Sequence, residues 1–354
     1  MFALNKYIRK KIMKNRVEII AEMSANHGHD IDIAKQTIKA AKEAGADAVK
    51  MQTYTADTIT LDCDNEFFRI AHDTIWDGMT LYKLYQEAYT PWEWHKELFM
   101  YAKEIGIEIF STPFDNSAVD LLEGLNVRRY KIASPEITDI PLIEYVASKG
   151  KPIIISIGIA TLKEIFEAVE ACKRQGNSDI TLLQCTSQYP AKPEDANLLV
   201  MQDMKERFQV NVGLSDHTIG HEVAVIAAAM QVSMIEKHFI MDRSIGGPDA
   251  SFSMDTEEFK KMVSEIRRVE CIIGQVNYDI DEKKKKTREF ARSLFVVQDV
   301  RAGEEITNKN IRSIRPGYGI SPKFINEICG KEFSFEVKRG TPLAWDMISD
   351  IDNQ

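Results

Sequence analysis

The sequence predicts an α/β chain: a (β/α)8 barrel followed by a small β-rich domain. Three observations carry that reading. Short β-branched runs alternate with longer helical patterns eight times between residues 17 and 236, and eight such repeats in about 250 residues is the usual span of a closed parallel barrel. Gly45, Gly106, Gly150 and Gly176 fall near the ends of four helical segments, where a left-handed residue is expected to stop a helix. After Gly274 the alternation ceases and turn signals crowd together. A doubly wound open sheet is the alternative, but Asn26-His27-Gly28 is no dinucleotide fingerprint.

Taken in order, the predicted strands are residues 17–21, 48–52, 107–111, 129–133, 152–156, 180–185, 210–214 and 232–236. Helical stretches at 33–43, 91–105, 117–122, 161–173 and 222–230 lie between them. Residues 53–89 are too many for a simple connection and are rich in Asp, Thr and aromatics. At the end of strand two, such a loop is expected to be a lid or a substrate wall. Residues 1–16 read as a basic leader without the apolar core of a signal peptide. The barrel is expected over 17–280 and a charged linker over 281–290, where lysines 283–286 form a solvated run. Residues 291–354 form the small domain, with strand-like runs at 293–297 and 333–337 and turns at Ala302-Gly303, Pro316-Gly317 and Arg339-Gly340.

Composition narrows the function. A net charge of −9 argues against a nucleic-acid or anionic-membrane partner. No apolar run approaches the roughly 20 residues that span a bilayer. Five cysteines, odd in number and without CxxC spacing, fit free thiols in a reducing cytoplasm.

Barrel active sites are built where the strands end, and here every strand end carries reactive groups. They are Glu22, Asn26 and His27; Lys50 and Gln52; Ser111 and Thr112; Lys131, Ser134 and Glu136; Ser156; Thr186, Ser187 and Tyr189; Ser215, Asp216 and His217; and Glu236, Lys237 and His238. Side chains alternate along a strand, so Lys50 and Gln52 share one face opposite Met51, and Lys131 shares one with Ala133 opposite Ile132. A lysine aimed into a barrel mouth needs an anion. With the hydroxyls of Thr112, Ser134, Ser156 and Ser215 the two lysines would cradle a phosphate; a buried ion-pair network with Glu22 and Glu136 is the other reading. His217 and His238 end two strands joined by one helical stretch, a βαβ unit that brings both imidazoles to one sheet edge. They would suit Mn²⁺, Co²⁺ or Fe²⁺, and Mg²⁺ less well, with positions left open for a substrate oxygen. Two hydrogen-bonded histidines capping strands would have the same pattern. His27 is a weaker candidate ligand; His72, His95 and His221 read as structural or exposed.

These motifs together resemble the sialic acid synthase family, whose members condense phosphoenolpyruvate with an N-acylated amino sugar. The matching segments are AEMSANH (21–27), KMQTYTADT (50–58), STPFD (111–115), LLQCTSQYP (182–190), GLSDHTIG (213–220), IEKHF (235–239) and GPDASFS (247–253). RSLFVVQDVRAGEEIT (292–307) and IRPGYGISP (314–322) resemble the antifreeze-like (SAF) domain these synthases carry. Within the family the likeness is strongest to the pseudaminic acid synthases, through QTYT-D--TLD (52–62) and the stretch from Trp76 to His95.

The resemblance implies roles. Phosphoenolpyruvate is expected on Lys50, Thr112, Lys131, Ser134, Ser156 and Ser215, with Ser187 standing where neuraminate-type members carry Asn. A divalent metal, typically Mn²⁺ with Co²⁺ or Mg²⁺ possible, is expected on His217 and His238, and the sugar on Gln52, Glu136, Tyr189 and Asp249. Arg315 is expected to reach the sugar from a partner subunit, in a homodimer with swapped SAF domains. Glu22 or Glu136 would serve as general base, and the residues do not choose between them. The implied activity is pseudaminic acid synthesis from 2,4-diacetamido-2,4,6-trideoxy-L-altrose. Its rivals are neuraminate or legionaminate synthesis, a Schiff-base aldolase using Lys50, Lys131 or Lys237, and a non-catalytic sugar-binding protein.

Overall fold

Eight parallel strands hydrogen-bond in sequence order and close into a barrel: β1 (Glu18–Glu22), β2 (Ala48–Thr53), β3 (Glu108–Pro113), β4 (Tyr130–Ile132), β5 (Ile153–Ser156), β6 (Ile180–Cys185), β7 (Asn211–Asp216) and β8 (Met234–His238). β8 pairs back onto β1, from Glu18 opposite Met234 to Glu22 opposite His238. This computed structural model describes residues 16–71 and 76–349. The basic leader, apart from Arg16, and His72 lie outside the described residues.

Strand alternation and register sort the inward side chains into layers. The lowest holds Glu18, Glu108 and Arg129, with Arg129 Nη1 donating to Glu18 Oε2 at 2.7 Å and Nε 3.0 Å from Glu108. Above it the barrel is packed by Ile20, Ala48, Phe110, Ile154, Leu183 and Met234. Gly213 lies in this layer because nothing larger fits: a Cβ there would sit 2.5 Å from the Met234 carbonyl oxygen and 2.6 Å from Leu183 Cδ2. The next layer up carries Glu22, Lys50, Lys131, Ser156, Cys185, Ser215 and Glu236. The interior is therefore a filled core whose upper layers turn polar.

Outward residues of the strands, such as Ile19, Met51 and Ile155, pack under the helices. α1 (Ile31–Glu43) starts at Asp30, whose carboxylate accepts from two first-turn amides. Two short helices, α2 (Ala56–Ile59) and α3 (Leu81–Ala88), occupy the long segment after β2. α4 (Trp92–Ile105) stops at Gly106, which takes the left-handed conformation at φ 73°. α5 (Asn116–Gly124) and α6 (Ile140–Ala147) follow, and then α7 (Leu162–Arg174), which opens with a capping box between Thr161 and Glu164. α8 (Val200–Phe208) and α9 (Glu222–Ala229) flank β7, and α10 (Thr256–Ile273) covers the closing strand pair. Among the described residues, no helix is long and apolar enough to cross a membrane.

The chain divides into two compact units, one ending at Gly274 and the other beginning at Gln275. In the second, the lysine run expected as a linker forms a fully exposed helix, α11 (Glu282–Arg288), capped by Asp281. β9 (Ser293–Val296) pairs antiparallel with β10 (Ile311–Ile314). The second strand expected at 333–337 is instead a pair of single bridges, Phe333 to Ile348 and Val337 to Val300. The two partners come from different segments, so no ladder forms, although Phe333 and Val337 are both buried in this unit's core. α12 (Ile325–Ile328) completes the unit.

Candidate active site

Two buried lysines share one carboxylate at the top of the barrel. Lys131 Nζ donates to Glu236 Oε2 at 2.8 Å, and Lys50 Nζ lies 3.5 Å from Glu236 Oε1 and 2.7 Å from Glu22 Oε2. Ser215 donates to Glu236 Oε1 at 3.0 Å, Lys50 to Thr112 Oγ1 at 3.3 Å, and Gln52 Nε2 to Glu22 Oε1 at 3.1 Å. The sequence reading paired these lysines with Glu22 and Glu136. The pairing with Glu136 is corrected to Glu236, because Glu236 faces inward level with Lys131 while Glu136 lies on the short helical turn beyond β4.

Burial pushes Glu22 upward against the pull of Lys50, and the neighbouring Glu236 charge adds to the rise. Burial would raise Glu236 too, but Lys131 and Lys50 more than offset it and hold this carboxylate ionised. Two ammonium groups thus face one firm negative charge and one soft one. The layer is ready for an added anion.

Beside the lysines, Ser187 Oγ donates to Ser134 Oγ at 3.2 Å, and the Ile159 amide donates to the same oxygen at 3.0 Å. Cys185 lies among Ser134, Ser156 and the Gly158 backbone, its thiol pushed up by burial. Gly158 is required here: a Cβ would sit 2.5 Å from Ser187 Oγ and 2.6 Å from Cys185 Sγ.

One layer higher stand His217 and His238, ring centroids 5.4 Å apart. His217 Nδ1 lies 2.8 Å from the Thr186 carbonyl oxygen. A carbonyl can only accept, so Nδ1 carries the proton and Nε2 keeps a lone pair. Burial lowers both histidines and keeps the pair neutral. His238 Nδ1 is buried without a hydrogen-bond partner, 3.7 Å from Asp249 Oδ2. Two neutral imidazoles, one with its tautomer fixed and one backed by a carboxylate, are a donor set that fits a divalent transition metal. Among the described residues, no group of three or more His, Cys, Asp or Glu is placed to hold an ion, so the pair would leave positions open.

Tyr189 covers the histidines, 4.3 Å from the His217 ring, with Trp76 and Phe252 packed on it at 5.9 and 5.3 Å. Beyond it opens a cavity of ≈340 Å³. The barrel contributes Ser24, Gln52, Glu136, His238 and Asp249 to its lining, and α2 and α3, from the segment expected to be a substrate wall, contribute Ile59, Leu84, Tyr85 and Ala88. Glu136 Oε2 is buried without a hydrogen-bond partner, and burial pushes this carboxyl up to about 7. Burial also raises Asp249, against hydrogen bonds from Ser24 and the Ala25 amide.

Lys50, Thr112, Lys131 and Ser215 therefore meet on one layer with Glu22 and Glu236; Ser134, Ser156 and Ser187 meet beside it; Gln52, Glu136, Tyr189, His238 and Asp249 meet in the cavity. Lys237 points outward, its Nζ donating to Asp216 Oδ2 at 2.7 Å. His27 is set apart, with Nε2 3.2 Å from Thr90 Oγ1, and Asn26 donates to the Phe239 carbonyl. His95 is buried against Thr53, and His221 caps α9. Arg315 is an exposed residue of the second unit. Sequence reasoning missed the central place of Glu236, although alternation two residues back from His238 marks it as inward. It also missed the cavity's apolar lining, for which no local pattern exists.

The NeuB family model matches residues 37–278 and the SAF domain model residues 291–349. The pseudaminic acid synthase of Helicobacter pylori is 49% identical over 332 residues, which is 94% of this chain and 97% of that protein. The N,N'-diacetyllegionaminic acid synthase of Legionella pneumophila is 40% identical over 340 residues, 93% of this chain and 94% of the relative. Among solved structures, the N-acetylneuraminic acid synthetase of Leptospira borgpetersenii superposes with a TM-score of 0.69 at 32% identity, covering 77% of this chain and 90% of that one. With the barrel, the small domain and the order of the motifs all matched along its length, the chain belongs to the NeuB family.

Proposed function

We propose that this chain is a pseudaminic acid synthase, joining phosphoenolpyruvate to 2,4-diacetamido-2,4,6-trideoxy-L-altrose and releasing phosphate. The observation that carries the reading is the 49% identity to a synthase of that name over nearly the whole of both chains. The barrel mouth supplies chemistry to match. Lys50 and Lys131 neutralise the phosphate and carboxylate of phosphoenolpyruvate, and Thr112, Ser134, Ser156, Ser187 and Ser215 donate to its oxygens. His217 and His238 would hold the divalent metal, Mn²⁺ before Co²⁺ or Mg²⁺, and when bound it would supply Lewis-acid polarisation of the sugar's aldehyde oxygen. Gln52, Tyr189 and Asp249 orient the sugar.

The enol C3 then forms the new carbon–carbon bond with C1 of the open-chain sugar, leaving C2 cationic. Water adds at C2 and gives up one proton through the general base, and a proton reaches the C1 oxygen to make it a hydroxyl. The tetrahedral product collapses to the ketone by C–O cleavage as its C2 hydroxyl passes its proton to the departing phosphate. Glu136 suits the proton transfer better than Glu22. Its Oε2 is unpartnered in the cavity, whereas Glu22 is held by Lys50 and Gln52. A Schiff base is disfavoured at Lys50, held protonated by Glu22 and Glu236, and at Lys237, which is turned away; burial lowers Lys131, but its Nζ is engaged by Glu236 at 2.8 Å.

The reading extends to a homodimer in which Arg315 of one chain meets the sugar bound by the other, a role open to an exposed arginine. It also extends to the cytoplasm, where phosphoenolpyruvate is made and where the five free cysteines stay reduced.

The test is phosphate release from phosphoenolpyruvate with Mn²⁺, comparing the altrose sugar, the legionaminate precursor and N-acetylmannosamine. Release with the first alone is the expected result. Release with another sugar instead keeps the chemistry and changes the product, and no release with any of them overturns the reading.

A further inference from the structure

The cavity is two-faced. Among the described residues, its ionisable groups other than tyrosine, namely Glu136, His238 and Asp249, come from the barrel. The insert contributes the aliphatic side chains Ile59, Leu84 and Ala88 to the same lining. Tyr54 stands between, its ring 5.1 Å from Phe114 and 5.6 Å from Tyr85. The Tyr85 hydroxyl interacts with Glu136 and so belongs to the polar side. The aliphatic side chains are supplied by α2 and α3, and Leu84 is 9% exposed.

In an open-chain hexose the aldehyde and C6 are opposite ends. If C1 lies at the histidine-bearing end, C6 is carried away from it toward the insert. We propose that Ile59, Leu84 and Ala88 form a methyl-reading subsite that selects a sugar whose C6 is a methyl and rejects one whose C6 is a hydroxymethyl. This rests on the proposed synthase reading and adds to it the residues that choose the sugar's far end. A hydroxyl placed against these three side chains gives up its water and finds no partner on them. An apolar pocket discriminates such a difference by about 10-fold to 100-fold in kcat/KM.

The experiment uses the full chain with Mn²⁺ and phosphoenolpyruvate and two sugars of one stereochemistry, the 2,4-diacetamido-2,4,6-trideoxyhexose and its 6-hydroxy counterpart. The ratio of their kcat/KM values is measured on a single preparation, so any inactive fraction cancels. The wild-type ratio is expected to favour the methyl sugar about tenfold or more, to fall several-fold in both Leu84→Asn and Ile59→Asn, and to survive in Leu84→Met. Equal use of the two sugars by the wild type, or a ratio unchanged in both Asn variants, overturns the subsite and leaves the synthase intact. Turnover of neither sugar by the wild type overturns the synthase reading, and the subsite with it.

Discussion

Replacing Glu236 by Gln removes the carboxylate that two buried lysines share while keeping its shape. At 2.8 Å and 3.5 Å from the ammonium groups, the lost attractions are about 6 and about 5 kcal/mol at an effective dielectric of about 20. Most of this does not appear as lost stability. The carboxylate's own desolvation cost, several kcal/mol for a buried ion, disappears with it. Glu22, relieved of the neighbouring charge that raises it, ionises more fully and takes up part of the role. The net cost is therefore expected at the lower end of that for breaking a buried pair, about 3 kcal/mol, or a fall of roughly 4–5 °C in Tm for a unit of this size. An anion in the same layer restores the missing charge, so phosphoenolpyruvate should raise the variant's Tm more than the wild type's. Calorimetry at pH 7, with and without phosphoenolpyruvate, measures both. Asp203→Asn, which breaks an exposed pair with Arg207, is the control and should leave Tm nearly unchanged. If Glu236→Gln behaves like that control, or if phosphoenolpyruvate shifts variant and wild type equally, the shared-carboxylate argument fails.

Four further outcomes are expected. Because burial raises Glu136 to about 7 and a base must be ionised, kcat/KM should fall below about pH 7; Glu136→Gln should remove that limb and cost about 10²–10⁴-fold in rate, whereas a limb retained in the variant points to Glu22. The same carboxyl is raised on folding, so its stabilising contribution is full at acid pH and lost as pH rises through about 7; the variant should be no less stable than wild type at pH 8 by thermal melting. His238→Ala should abolish Mn²⁺-dependent phosphate release with its circular dichroism spectrum unchanged, and near-normal turnover would refute the metal assignment. Deleting residues 287–354 should remove most activity although every barrel residue remains, and a fully active fragment would refute the role given to Arg315.

The barrel was legible because its signals are local and repeated. Each strand carries its own β-branched run, and Gly106 stops its helix by a left-handed turn that one residue decides. The second unit was less legible because its pairing is not periodic: Phe333 and Val337 each bridge a different distant segment, and the sequence pattern cannot tell two such bridges from a strand. In the site, alternation correctly turned Lys50 and Lys131 inward, but the partner of a buried lysine depends on which layer a carboxylate occupies. Register fixes that, and register is set by the whole closed sheet. It put Glu236 beside Ser215 and level with the lysines, and left Glu136 above them on a turn. The cavity's apolar wall was the least legible part. Ile59, Leu84 and Phe114 are far apart in sequence, and nothing in any one segment says they will meet.

The β7–β8 pair explains how the anion-binding layer and the histidine pair can cooperate. Ser215 and Glu236 face inward on one layer, and two residues further along the same strands His217 and His238 face inward on the next. Two residues advance a strand by about 7 Å. Two of the groups proposed to surround the phosphate and the two proposed to hold the metal are thus separated by one fixed step of a sheet that is hydrogen-bonded on both sides. In the proposed reaction, the enol lies on the lower layer and the aldehyde on the upper one, so the forming carbon–carbon bond runs along the barrel axis. The spacing of the two layers that hold the reactants is governed by strand rise. The insert that carries α2 and α3 meets this framework through Trp76, whose ring lies 5.9 Å from that of Tyr189, itself 4.3 Å from His217, while its Ile59, Leu84 and Ala88 line the cavity beyond. In the proposed function, the strands hold the chemistry and the insertion holds the selectivity for the sugar's far end.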